Sequence, residues 1–272
     1  MASWTTRCTA SASLSPGRRA STSHLASSYS IDLDLNVGQI GGHTGNVITD
    51  RIRVRRAADR GRYTRADVEQ VLDASLVAHV AFVDSGQPWC IPFLHARVGD
   101  VVYLHGSTGS RAMRVLAAGA EACLTVTVLD GLVLARSVFE HSANYRSAVL
   151  FGRFAPVSPD RRAVALRAFT ERLVPGRWDE VRGPSEKELA KTSILAMAWD
   201  EASVKVRTGP PSDGRSPDAT DDAWAGVLPF ATGFGPPQPA PELPVGLPLP
   251  RSVRAVYGPD PDAAKEGRQN RR

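Results

Sequence analysis

The sequence predicts a mainly β domain with flanking helices, built as an antiparallel barrel, and three observations carry that expectation. Short runs rich in β-branched and aromatic residues recur between Tyr63 and Gly209, each bounded by turn residues. Asp130-Gly131 lies between two such runs, a strong short-range hairpin signal. No long helix separates the early strands, as a parallel sheet would require.

The elements follow in chain order. Thr64, with Asp67 three residues on, marks a helix start, and Val68, Val71 and Leu72 supply its apolar stripe. The run Leu76–Val83 is a strand closed by Asp84-Ser85-Gly86. Trp89–Val98 and Val101–His105 are two more, joined through Gly99-Asp100. Ala112–Ala118 has helical spacing, ended by Gly119. Cys123–Leu129 and Leu132–Val138 form the expected hairpin, and Tyr145–Val157 is a further long strand. Pro159 opens a helix carrying Val164, Leu166, Phe169 and Leu173, and Ser185–Lys191 is a short one. Ile194–Met197 and Ala202–Val206 close the domain with six or seven strands in all.

The ends differ from the middle. Residues 1–52 form an N-terminal extension without periodicity, with no acid before Asp32. Composition in residues 1–30 resembles a targeting segment, and an extended start is the preferred reading. Residues 53–230 form the domain, and 231–272 a Pro-rich basic tail of which only the preceding Trp224–Phe230 is suited to docking. The formal charge of +5 comes largely from those ends, from Arg51, Arg53, Arg55, Arg56 and Arg60 and from Arg268, Arg271 and Arg272. Basic ends on a mixed domain argue for solvated tails, so no nucleic-acid partner is expected. No apolar run reaches the ~18–20 residues of a membrane span. Three scattered cysteines suit neither a disulfide framework nor a zinc site, which points to a reducing, cytoplasmic setting and no metal.

The stretch Tyr103 to Arg111 carries the most chemistry. It passes from a strand through Gly106, Ser107, Thr108 and Gly109 into a helix start at Ser110-Arg111. Helix N-termini favour anions, and Arg111 adds a charged bidentate donor, with Arg114 one turn on. The same residues also suit an ordinary capped helix with a surface arginine. If Gly99-Asp100 is a two-residue turn, position 98 pairs with 101. His105 then ends the row of Ala96, Val98, Val101 and Tyr103, and His95 lies on the other face with Phe93 and Arg97. The first row is the more apolar, which places His105 on the core side as a structural or a catalytic histidine. Lys205 and Arg207 alternate on the last strand, serving a bound anion or an exposed edge.

In this order, Gly86-Gln87-Pro88, Ile91-Pro92, Tyr103-Leu104-His105-Gly106-Ser107, Ser110-Arg111 and Asp130-Gly131 resemble the pyridoxamine 5'-phosphate oxidase-like split barrels. Asn144-Tyr145-Arg146-Ser147, Lys205 to Pro211 and Trp224 to Pro229 are similar to the flavin-nucleotide-binding, nitroimidazole-reductase-related branch. The resemblance implies a six-stranded FMN-binding split barrel that forms a homodimer. It implies that Ser110 and Arg111 hold the FMN phosphate, in a cofactor site that includes Gly106 and Ser107; the family's second phosphate-site lysine is missing, with Arg114 as its substitute. It implies that Ile91, Pro92, Phe93 and Leu94 pass beside the flavin ring, with His105 next to it as the catalytic candidate. The implied activity is oxidation or reduction of a small organic substrate through FMN. A non-catalytic protein binding flavin, haem or a deazaflavin on the same barrel is the alternative. The arginine-rich C-terminal substrate signature of the true oxidases is missing, which sets vitamin B6 oxidation aside.

Overall fold

The computed structural model describes residues 48–199, 201–215, 222–244 and 246–257. The expected targeting segment, residues 1–30, lies outside the described residues.

Helix α1 (Arg65–Asp73) starts where the sequence places it, because the Thr64 hydroxyl accepts from the Asp67 amide at 3.2 Å. Its buried stripe is Val68, Val71 and Leu72. Strands β2 (Val77–Asp84) and β3 (Gln87–Val98) form a hairpin through Ser85 and Gly86, both at positive φ. β4 (Val101–Ser107) follows, then helix α2 (Arg111–Ala117), which Gly119 terminates at φ 85°. After β5 (Glu121–Leu134) and β6 (Ser142–Arg153), helix α3 (Arg162–Leu173) covers one side of β3. Helix α4 (Glu186–Lys191) begins with a reciprocal capping box between Ser185 and Glu188 and leads into β8 (Thr192–Ala198) and β9 (Glu201–Arg207).

The strands make one antiparallel sheet, and β3 gives it its bend. Residues Gln87 to Leu94 pair with β2, whereas His95 to Val98 pair with β4. Beyond β4, β8 pairs with the two-residue edge strand β7 (Ala155–Pro156), which follows β6 after Phe154. The chain itself thus joins β6 to the opposite edge, and β2, β3, β4, β8, β6 and β5 complete a circuit around the main core. Among the described residues the sheet holds ten strands, not six. Strand β9 lies outside the circuit, and β1 (Gly61–Arg62), β7 and β10 (Gly226–Pro229) are too short to leave a period-two signal.

The hairpin expected at Asp130-Gly131 is absent. β5 runs through both residues as one strand and pairs with β6 along its length, with an irregularity between Leu129 and Gly131. Asp130 is claimed by Arg146, whose Nε and terminal nitrogen donate to its carboxylate at 3.0 and 2.7 Å. Gly131 meets β10, where an added Cβ would stand 2.9 Å from the Leu228 carbonyl oxygen and 3.0 Å from Pro229 Cα. The pair satisfies a close strand crossing rather than a turn. Gly131→Val should therefore expel β10, at a cost of about 1–3 kcal/mol for overpacking. The check is hydrogen exchange at the Phe230 amide, which donates to the Asp130 carbonyl at 3.0 Å; unchanged protection would contradict the packing account.

Two cores result. The main one joins α1, α2 and the sheet interior through Leu72, Val80, Leu104, Leu116, Leu124, Leu150 and Phe154. The smaller lies under α3 and contains Ala96, Tyr103, Phe169, Ile194 and Ala196. Both faces of β4 are thus covered, which bears on the two histidines. The expected register holds, with Val98 opposite Val101 and His95 opposite Leu104. The apolar row containing Tyr103, however, packs under α3, and the barrel interior takes Val102, Leu104 and His95 instead.

Contacts extend past both expected domain limits. Thr49 donates to Glu201 at 2.5 Å, Arg51 also binds Glu201, and Ile52 is buried. Helix α5 (Arg251–Tyr257) docks through Ser252, whose amide donates to Glu180 at 3.0 Å. Among the described residues no helix is long and apolar enough to cross a membrane.

Candidate functional site

The loop from β4 to α2 is held chiefly by its own polar groups. The Ser107 hydroxyl accepts from the Gly109 amide at 3.1 Å, and the Ser107 carbonyl accepts from the Ser110 amide at 2.9 Å. The Thr108 amide donates to the Lys191 carbonyl at 3.1 Å, and the Ser110 hydroxyl caps the helix at the Met113 amide. Gly106 is required for packing, since a Cβ there would stand 3.0 Å from Met113 Cγ. Ser107, Thr108, Gly109, Arg111 and Arg114 face solvent.

The charge of this loop is already engaged from across the fold. Arg111 Nε donates to Asp84 Oδ2 at 2.6 Å, and a terminal nitrogen lies 2.5 Å from the same oxygen. Its guanidinium also stands over the Trp89 ring, 4.6 Å from the centroid. Arg111 holds the Asp84 carboxyl below its ordinary value, chiefly by this hydrogen bond. Asp84 and Trp89 thus belong to the site beside Ser110 and Arg111. In the sequence they pass for a turn residue and a strand residue, and only the β2–β3 hairpin brings them to α2. Asp84 takes up one edge of the guanidinium and leaves other N–H groups for an oxyanion.

The β3 residues divide by face. Ile91 and Phe93 turn inward against the main core, whereas Pro92 and Leu94 lie exposed with Pro88 and Cys90. Arg114 is exposed on α2. His105 packs edge-on against Phe169 of α3, with ring centroids 4.5 Å apart.

A family model described as pyridoxamine 5'-phosphate oxidase matches residues 64–206, over half of the chain. The chain belongs to the pyridoxamine 5'-phosphate oxidase-like family. No curated protein matches it. Two solved structures in the same fold family align with it over nearly their whole length. The FAD and heme binding protein from Mycobacterium smegmatis is 44% identical, with a TM-score of 0.71, over 73% of this chain and 98% of its own. The flavocytochrome Anf3 from Azotobacter vinelandii is 37% identical, with a TM-score of 0.72, over 78% of this chain and 99% of its own.

Within this family member the two β4-region histidines are differently placed. His95 is 1% exposed; its Nε2 lies 3.1 Å from the Leu72 carbonyl, and its Nδ1 has no hydrogen-bond partner among the described residues. That pattern fits a neutral ring with the proton on Nε2. Burial lowers the pKa of His95 and also that of His105. A histidine depressed in the folded state contributes its full stability above the unfolded value of 6.5 and loses it as pH falls through the folded value. Thermal stability should therefore decline below about pH 6.5, and His95→Gln should flatten that decline. An identical pH profile in the variant would remove His95 from the account. Among the described residues no group of His, Cys, Asp and Glu forms a metal cluster.

Proposed function

We propose that the chain is a flavin-nucleotide- and haem-binding redox protein, with FAD rather than FMN as its nucleotide. One observation carries the reading: the chain spans nearly all of two proteins, at 44% and 37% identity, that are described as FAD and heme binding and as a flavocytochrome. The residues present fit the groups. Arg111, with the hydroxyls of Ser107, Thr108 and Ser110, suits a flavin phosphate, and Trp89 offers an aromatic surface beside it. When bound, the flavin would supply the redox chemistry, and these residues would hold and orient it.

For haem iron an imidazole with a ring nitrogen to spare is needed. His95 is too deeply buried, at 1% exposure, to reach a haem, whereas His141, whose Nδ1 lies 3.0 Å from the Ser137 carbonyl on an exposed loop, keeps Nε2 for a metal. His79 stands on the open face of β2 between Pro92 of β3 and Thr125 of β5, among the exposed apolar residues Val77 and Leu94, and would hold the iron better than the loop residue His141. The same face exposes Val77, Val83, Leu94 and Leu129, an apolar area suited to a second copy of the chain. A homodimer and a cytoplasmic location complete the proposal, the latter supported by the free thiols of Cys90 and Cys123. His105 is retained as the residue that would adjust flavin protonation.

The absorption spectrum of the purified full chain tests this reading. Flavin bands and a Soret band are expected together, and His79→Ala should remove the Soret band while keeping the flavin. A colourless protein that takes up neither group on titration with FAD and haemin would overturn it.

A further inference from the structure

A second cationic site lies where β9 ends. The Arg207 side chain is buried, at 6% residue exposure, and its hydrogen-bond partners among the described residues are all neutral. Its guanidinium donates to Asn144 Oδ1 at 2.5 Å and to the carbonyls of Gly209 and Pro210, each at 3.4 Å. No ion pair engages it among the described residues, whereas the partly buried Arg136 meets the buried carboxylate of Asp213 at 3.2 Å. A buried charge without a counter-charge is costly, so such arginines ordinarily face a carboxylate or a bound anion. Burial, and then the charge of Arg60, push the Arg207 pKa down from the ordinary arginine value.

Arg207 lines a cavity of about 250 Å³ together with Arg60, Arg62, Thr208 and Ser212, and with Asp59 as a carboxylate on its wall. The walls come from two paired strands, since Arg62 of β1 lies opposite Val204 of β9. Arg62 is held in place by donating to the Asp59 and Gly61 carbonyls at 2.7 and 2.8 Å. Three guanidiniums and two hydroxyls against one carboxylate leave an excess of positive charge and donors. Against about 30 Å³ for a water, the volume exceeds what a monatomic ion requires.

We propose that this cavity binds a phosphate-bearing small ligand of diphosphate type, held by Arg207, Arg60 and Arg62. Arginine forks match phosphate oxygens in pairs, and Thr208 and Ser212 supply the hydroxyl donors. The site is separate from the one at Arg111. Arg207 pairs with Tyr145, and Tyr145 with Leu129, whereas β2 reaches Asp84 beside Ala122 of β5. The seven residues from Ala122 to Leu129 span roughly 23 Å of strand. The proposal does not depend on the flavin reading.

Calorimetric titration of the full chain with inorganic pyrophosphate, at constant ionic strength, is the test. Saturable binding is expected, weakened at least tenfold in the Arg60→Ala, Arg62→Ala double variant and changed less than twofold in Arg167→Ala, an exposed arginine outside both anion sites. Arg207→Gln should abolish it; because that site is buried, the double variant at the cavity wall keeps the test decisive. Absence of saturable binding, equal affinity in the double variant, or an equal loss in Arg167→Ala would each overturn the proposal.

Discussion

Phe154→Ala is expected to lower stability by about 3–5 kcal/mol, the range for emptying a buried phenylalanine site. Phe154 is 2% exposed and occupies the single position between β6 and β7. It therefore fills the main core where the chain passes from one sheet edge to the other. Truncation removes its packing and loosens the step that brings β7 to β8. Against a total of roughly 5–15 kcal/mol for a domain, the loss approaches global unfolding. A shift of the denaturant midpoint measures it. Phe139 is the internal control, since at 91% exposure its truncation should change stability by less than about 0.5 kcal/mol. Similar shifts for the two variants would refute the assignment of Phe154 as the closing residue.

Arg111→Ala is expected to weaken flavin-nucleotide binding by about 1.5–3 kcal/mol, the cost of charged hydrogen bonds to phosphate. The lower end is favoured because the side chain is half exposed and already shared with Asp84. The partnership with Asp84 supplies a second, opposite effect. The Asp84 carboxylate competes for the guanidinium and repels a phosphate, so Asp84→Asn should tighten binding. Loss of an exposed ion pair changes stability by only about 0–1 kcal/mol, so equilibrium titration with FAD separates binding from folding. Equal affinity in wild type and Arg111→Ala would place the phosphate elsewhere. Tighter binding on removing Arg111 would contradict the electrostatics altogether.

The sequence carried most elements of the fold because their signals are local. Thr64, Ser185 and Gly119 mark helix ends by backbone requirements that do not depend on distant residues. The Gly99-Asp100 turn set the β3–β4 register correctly, because period-two alternation leaves little freedom once a turn is known. Asp130-Gly131 misled because Gly serves two physical needs, a tight turn and close backbone approach, and only β10 shows which applies. The facing of His95 and His105 was not legible either, since apolar counting along one strand cannot show that α3 covers the second side.

The candidate site was legible in part for the same reason. Ser110 and Arg111 lie on a contiguous loop-to-helix signature, so their juxtaposition needs no tertiary information. Asp84 and Trp89 precede Arg111 by more than twenty residues and reach it through the β2–β3 hairpin, which no local pattern encodes. Arg207 carried only the alternation of a charged strand. Its burial and its convergence with Arg60 and Arg62 arise from the pairing of β1 with β9.

The central claim is that the barrel holds a flavin dinucleotide with its phosphate at Arg111. Mass spectrometry of the nucleotide released from the purified full chain tests it most directly. The account predicts FAD, in stoichiometric amount in the wild type and depleted in Arg111→Ala. Release of no flavin, or of the same amount from both proteins, would contradict it.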